Sequence, residues 1–276
     1  MYKRQHVGSS IDGTYEGEKH RTQIGSFVKI PDPDGYLVGA ESFSLHLFVW
    51  VTTPHPRQGV VSRWNDRDAV GWALTLEDGY LTGLVGDGEE TRTVRSDKRL
   101  FAETWYSVVL NIDCAVGRLS ISQTAVGNSV NGRFGKIVPL DCDTSVVATL
   151  DVTPPMQDVP VVVAGFAESA GMPEWVIADF NGKIDSPKCF GAVLMDSEIS
   201  QLAEGLMPTA TLLAHWDFAS GVEKTGIPSD DVTDVSGCEL HGVCVNQPDR
   251  GMTGWNWTGS EENSVSYTHL RAHETR

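Results

Sequence analysis

The chain has 276 residues, 40% of them hydrophobic and 21% charged, with 21 basic against 37 acidic side chains for a net charge of −16. A surface this acidic repels phosphate backbones and anionic bilayers, which argues against nucleic acid and membrane surfaces as partners. No stretch approaches the roughly 20 consecutive apolar residues of a membrane helix, and the length suffices for one large all-β domain with a sizeable core.

The first five residues, 1–5 (MYKRQ), and the last twelve, 265–276 (VSYTHLRAHETR), have no hydrophobic period. Both look like translated sequencing-adapter sequence, read from opposite strands, and are set aside from fold reasoning. Residues 6–21 then read as part of an upstream linker, 22–250 as one sandwich, and 251–264 as the start of a linker to a further domain. Neither natural terminus is expected to be present, so no targeting signal is read.

From Gly25 onward, short alternating apolar runs are cut by Gly, Pro, Asn and Asp, the pattern of sequential antiparallel strands. Strands are predicted at 26–30, 43–51, 59–63, 72–76, 80–85, 91–94, 105–113 and 118–123. In the run 43–51, Phe43, Leu45, Leu47 and Val49 alternate with Ser44, His46, Phe48 and Trp50, which predicts a central strand covered on both faces. The Glu77-Asp78-Gly79 and Gly86-Asp87-Gly88 segments predict tight turns, because glycine supplies the positive φ they require. Residues 146–159, with the Pro154-Pro155 pair, read as a loop before the apolar run 159–166. Strands at 175–180 and 182–190 are expected to join as a hairpin at Asn181-Gly182. The one helix is predicted at 196–205, capped by Asp196 or Ser197, with Ile199, Leu202 and Leu206 on one face and Gly205 closing it.

The five cysteines, Cys114, Cys142, Cys189, Cys238 and Cys244, are odd in number and lack CxxC spacing. They read as buried thiols of a cytoplasmic protein rather than as disulfides.

The segment 182–205 (GKIDSPKCFGAVLMDSEISQLAEG) resembles the closing signature of laminin-G/concanavalin A-like domains, and 27–30 with 43–47 resembles their opening strands. The block Leu213-Ala214-His215-Trp216-Asp217-Phe218, with Asp234-Val235-Ser236-Gly237 and His241-Gly242, resembles a laminin-G element that usually stands first but here stands last. Ends of a jelly roll lie close together, so a permuted strand can complete the same sandwich. The resemblance implies an all-β, antiparallel jelly-roll sandwich with one short helix.

More specifically, the strings 21–27 (RTQIGSF), 57–59 with 62–66, 133–135, 215–218, 246–251 (NQPDRG) and 253–257 (TGWNW) resemble the amino-terminal half of the large subunit of N,N-dimethylformamidase-type proteins. That resemblance implies an amide hydrolase whose catalytic iron, held by two tyrosines and a glutamate, acts as a Lewis acid in a carboxy-terminal domain beyond Ser264. No iron ligand transfers to any residue of this chain. The implied partners are that catalytic domain, a small subunit and further large subunits.

Catalysis inside the chain is not expected. The Glu-x-Asp-x-x-Glu strand of sandwich glycosidases and the Gly-x-Ser-x-Gly nucleophile elbow are both absent, and Glu198 and Glu204 fall on the solvated side of the predicted helix. The alternative to an accessory domain is a stand-alone carbohydrate-binding module, in which sugar stacks on exposed aromatics. Trp50, Trp72, Trp105 and Trp216 sit in strand patterns and are expected in the core, whereas Trp64, Trp255 and Trp257 lie in turn-rich polar sequence. With Arg63, Asp249 and Arg250, these last three are the candidate interdomain or ligand contacts. Asp66, Asp68, Asp87, Asp217 and Asp234 offer oxygen ligands for calcium, yet without loop spacing they read first as turn formers. His215 and His241 read as structural hydrogen bonders.

Overall fold

The structure is a computed structural model that describes residues 14–15, 18–19, 25–39, 41–54, 56–126, 142–222, 229–250 and 254–256. A short antiparallel pair, β1 (Thr14–Tyr15) and β2 (Glu18–Lys19), forms a two-stranded sheet of its own. The remaining strands form two facing layers.

The first layer runs in the order β11 (Thr144–Thr149), β10 (Arg118–Ala125), β9 (Trp105–Asp113), β4 (Phe43–Val51), β15 (Gly182–Phe190) and β16 (Leu212–Asp217). The second runs β17 (Asp231–Asp234), β18 (Gly242–Val245), β3 (Phe27–Ile30), β12 (Val161–Val163), β5 (Gln58–Asn65), β6 (Val70–Glu77), β7 (Tyr80–Asp87) and β8 (Thr91–Arg95). β16 pairs with β17, so the layers are continuous along one edge. A β13 (Phe166–Ser169) and β14 (Met172–Ile177) hairpin branches from β5. The all-β antiparallel sandwich inferred from the alternation of apolar residues is the observed architecture.

Period-two burial explains the core. Phe43, Leu45, Leu47, Val49 and Val51 of β4 meet Trp72, Leu74 and Leu76 of β6 and Leu81 and Val85 of β7 in one cluster shared by the two layers. The Trp72 indole donates to the Leu37 carbonyl at 2.7 Å, so the largest buried ring also satisfies its polar atom. β4 sits between β9 and β15 with both faces covered, as its alternation predicts. Asp78 and Gly79 take φ of 53° and 87°, the two left-handed positions of the hairpin joining β6 to β7.

Several expectations are corrected. Residues 146–149 are not loop but the end of β11, an edge strand on which Val146 and Ala148 pack inward while Val147 is exposed. The exposed Val147, apolar like its inward neighbours Val146 and Ala148, hides the alternation. The 159–166 run breaks at Ala164, whose φ is 77°, and Gly165 into β12 and β13. Asn181-Gly182 is not a hairpin turn. β14 pairs with β13, and the chain crosses there from one layer to the other, with the Thr52 amide donating to the Asn181 carbonyl at 3.0 Å and the Asn181 amide to Gln58 Oε1 at 2.6 Å.

The helix, α1 (Asp196–Ala203), begins at the predicted residue but is capped at Met195 rather than at Asp196 or Ser197, with the Glu198 carboxylate accepting the Met195 amide at 3.0 Å. Ile199 and Leu202 face the sheet, whereas Leu206 is exposed, because Gly205 with φ of 80° turns the chain away.

Gly182 matters for space rather than for φ. A Cβ there would overlap the Trp50 carbonyl and the Phe180 ring. Gly182→Ala is therefore expected to destabilise by about 1–3 kcal/mol, read as a lower urea midpoint. A neutral or raised midpoint would contradict the crossing and its pairing with β4.

Candidate functional site

The outer face of the first layer carries a row of buried polar side chains. The two-residue period that sends Leu45 and Leu47 inward sends Ser44, His46, Phe48 and Trp50 outward. The pairing register then aligns His46 of β4 with Lys188 of β15, and Lys188 with His215 of β16, so an ammonium lies between two imidazoles. His46 and Lys188 are buried, at 0% and 6% exposure, while Asp185, Ser186 and His215 remain partly open.

A β-bulge between Asp185 and Lys188 gives the row its shape. Ser186 occupies it with φ of 51°, immediately before Pro187. A non-glycine residue in the left-handed region costs energy that the surrounding pairing must offset, and such bulges commonly re-aim side chains beside functional sites. The bulge turns the Ser186 hydroxyl toward both neighbours. Lys188 Nζ donates to Ser186 Oγ at 2.6 Å and to the Ser186 carbonyl at 3.0 Å, and Oγ lies 2.9 Å from His215 Nε2.

The electrostatics follow from burial and from the row itself. Burial pushes the Lys188 ammonium down to about 8, opposed by Asp185 and Asp217. Burial and the neighbouring Lys188 charge lower His215 to about 4 and hold His46 well below the ordinary imidazole range. Both imidazoles are therefore neutral near pH 7. His46 Nε2 lies 3.0 Å from Ser107 Oγ, and its buried Nδ1 has no hydrogen-bond partner. Asp185, raised by burial, accepts the Trp255 amide at 3.1 Å.

Trp255 closes one end of the row. Its ring stacks on Phe48 at 4.0 Å and 7°, against a cluster that includes Trp50 and Trp105, and the same ring abuts Gly205. Of the described residues grouped by sequence as interdomain or ligand contacts, Trp255 is the one on this face.

Arg63 and Trp64 lie on β5 in the other layer, buried within the domain. Arg63 is paired with Asp32 at 3.3 Å and donates to the Gln157 carbonyl at 3.1 Å. Trp64 packs with Ala73, Leu84 and Phe166 beneath the branching hairpin and donates to Asp66 at 3.0 Å. Polar neighbours in the sequence made them read as surface residues, but each finds its polar partner inside the domain. Arg250 is buried as a clamp, donating to the carbonyls of Phe218, Ser220, Ser229 and Asp231 at 2.6–3.4 Å. Asp249 beside it is partly exposed, and Trp257 lies outside the described residues.

The candidate calcium aspartates hold turns. Asp66 pairs with Arg57 at 3.0 Å, Asp68 with Asn65, Asp87 accepts the Glu89 and Glu90 amides, and Asp217 accepts the Ala219 amide. Asp234 accepts the His215, Ser236 and Leu240 amides. His241 accepts the Asp234 amide, the structural role read from sequence. None of the five cysteines forms a disulfide; Cys142, Cys189 and Cys244 are buried, Cys114 partly so, and Cys238 is exposed. Among the described residues, no group of three or more His, Cys, Asp or Glu side chains is placed to hold a metal ion, and no helix is long and apolar enough to cross a membrane.

These shifts set a pH dependence of stability. His215 binds its proton less tightly folded, at about 4, than at its ordinary 6.5, so the unfolded chain takes up more protons between those values and stability falls as pH drops through that window. Lys188, at about 8 against 10.5, gives stability that rises between those values as pH increases. Asp185, raised by burial, works against the histidine on the acid side. Urea midpoints measured across both windows are expected to flatten on the acid side in His215→Gln and on the alkaline side in Lys188→Met. Unchanged slopes would show that neither group is shifted.

No protein-family model matches the chain. Among solved structures, a candidate carbohydrate-binding protein from Bacteroides ovatus has a similar fold, with a TM-score of 0.51 and 12% identity, covering 82% of this chain and 59% of that one. The N,N-dimethylformamidase beta subunit of Paracoccus aminophilus is 48% identical over 269 residues, and that of an Alcaligenes species 44% identical over the same length. Each alignment covers 96% of this chain and 35% of the relative, so the chain spans about a third of these proteins. Over nearly its whole length, then, the chain is a homologue of the N,N-dimethylformamidase beta subunit.

Proposed function

We propose that this chain is the amino-terminal β-sandwich of the large subunit of an N,N-dimethylformamidase-type amide hydrolase, and that the amide-cleaving centre lies outside it. The observation that carries the reading is the near-complete alignment of this chain to one third of subunits bearing that name. At 44–48% identity over so long a stretch the fold and its packing are shared. The role proposed for the sandwich is support for an iron-bearing portion of the same subunit and for assembly with other subunits.

The described residues fit a supporting role better than a metal site. Their carboxylates and imidazoles are taken up by turns, caps and the row on the outer face, and none gathers into a metal-holding group. No step of amide cleavage is assigned to them. A cytoplasmic location accords with five cysteines that form no disulfide.

The test is to express a full-length subunit containing this sequence, with its partner subunit, beside the 6–264 portion alone. Dimethylformamide hydrolysis and bound iron are expected in the full assembly, with a folded, iron-free and amide-inactive sandwich. Amide hydrolysis by the sandwich alone would overturn the reading. So would an inactive full-length protein whose sandwich binds glycans.

A further inference from the structure

We propose that Ser186 is a nucleophilic serine, activated by Lys188 and His215, that accepts a small acyl group from a carboxylic ester. The site is complete within this chain and does not rest on the dimethylformamidase reading.

The argument begins with one hydroxyl between two nitrogens, Nζ of Lys188 at 2.6 Å and Nε2 of His215 at 2.9 Å. An ammonium can only donate hydrogen bonds, so the hydroxyl receives one from Lys188 and its own proton is left for the neutral imidazole. That assigns the roles. His215 is the general base, and the Lys188 cation stabilises the negative charge that develops on Oγ as the proton leaves.

The supports of this arrangement are specific. The His215 backbone amide is fixed by Asp234 Oδ1 at 2.9 Å, and the ring is kept neutral by burial and by Lys188. Lys188 is held by the Ser186 carbonyl as well as its hydroxyl. Ser186 stands in the left-handed region on a bulge, a strained position of the kind concentrated at reactive sites. Access also favours the hydroxyl: Ser186 and His215 are partly open while Lys188 is buried, so a reagent meets the oxygen before the amine. Among the described residues, the charged and titratable groups facing the site are Asp185 on β15, Asp217 beside His215 on β16, His46 on β4 and Asp234 on β17.

In the step, Oγ attacks the ester carbonyl carbon and forms a new C–O bond while its proton passes to His215 Nε2. The bond from that carbon to the alcohol oxygen breaks, and the departing oxygen takes the proton back from the imidazolium. An acyl-serine and a free alcohol result. Water, activated by the same imidazole, can then release the carboxylic acid.

The geometry requires neutral His215 and charged Lys188, so acylation is expected between pH about 4 and about 8 and to decline above it, whereas uncatalysed esterolysis only rises with hydroxide. The experiment treats the folded chain with p-nitrophenyl acetate, follows nitrophenolate release, and maps the acetylated peptide. One hydroxylamine-labile acetyl group on Ser186 is expected.

Ser186→Gly suits the observed φ and so preserves the fold; it is expected to abolish the adduct, and His215→Gln to slow its formation by about a hundredfold. An adduct confined to lysine and stable to hydroxylamine, a burst unchanged in Ser186→Gly, or a rate that keeps rising above pH about 8 would overturn the proposal.

Discussion

Burial of β4 on both faces is the constraint from which the rest of this structure follows. Leu45, Leu47 and Val49 need an apolar layer against them, and that requirement fixes which face of the strand turns inward. A shift of one residue would exchange them with Ser44, His46 and Phe48, so the pairing with β9 and β15 is strongly specified. The outer face is a consequence of the same choice. His46 has no alternative to burial once Leu45 and Leu47 are placed.

That face then has an electrostatic problem to solve. A buried ammonium is costly unless its donors are satisfied, and Lys188 meets two oxygens of Ser186 with Asp185 and Asp217 nearby. The imidazoles on either side avoid repulsion by staying neutral. The bulge is what makes this possible, since a regular strand would send the side chain after Asp185 to the opposite face. Strain at Ser186 and satisfaction of Lys188 are two sides of one local compromise.

The same outer face receives Trp255, which follows the last strand in sequence and reaches back to Phe48 and Asp185. Gly254 permits this approach, because a Cβ there would overlap the Asp185 carboxylate. Arg250 secures the chain just before it by gathering carbonyls from the 218–231 region. A cation bonded to carbonyls in place of a carboxylate suits a position where several turns leave acceptors to be satisfied. Gly254 and Trp255, which the sequence reading places in the 251–264 linker start, thus lie against the outer face of this sandwich.

Alternation by itself determined the all-β class, the two-sided burial of β4, the Asp78-Gly79 turn and the burial of Trp72 and Trp216, because each depends on period-two burial or on a dihedral that few residues tolerate. The resemblance in residues 182–205 and 215–218 pointed to the same sandwich. Only the tertiary structure decided that Asn181-Gly182 crosses between layers, since a turn dipeptide reports local φ and says nothing of which strands pair. It alone placed Arg63 and Trp64 inside, because their partners Asp32 and Phe166 are distant in sequence. The row of His46, Lys188 and His215 comes from three strands far apart along the chain, and Ser186 enters it through a bulge with no sequence signature. Sequence spacing specifies which residues share a face of one strand; register between strands, set by the packing of the whole core, specifies which of them meet.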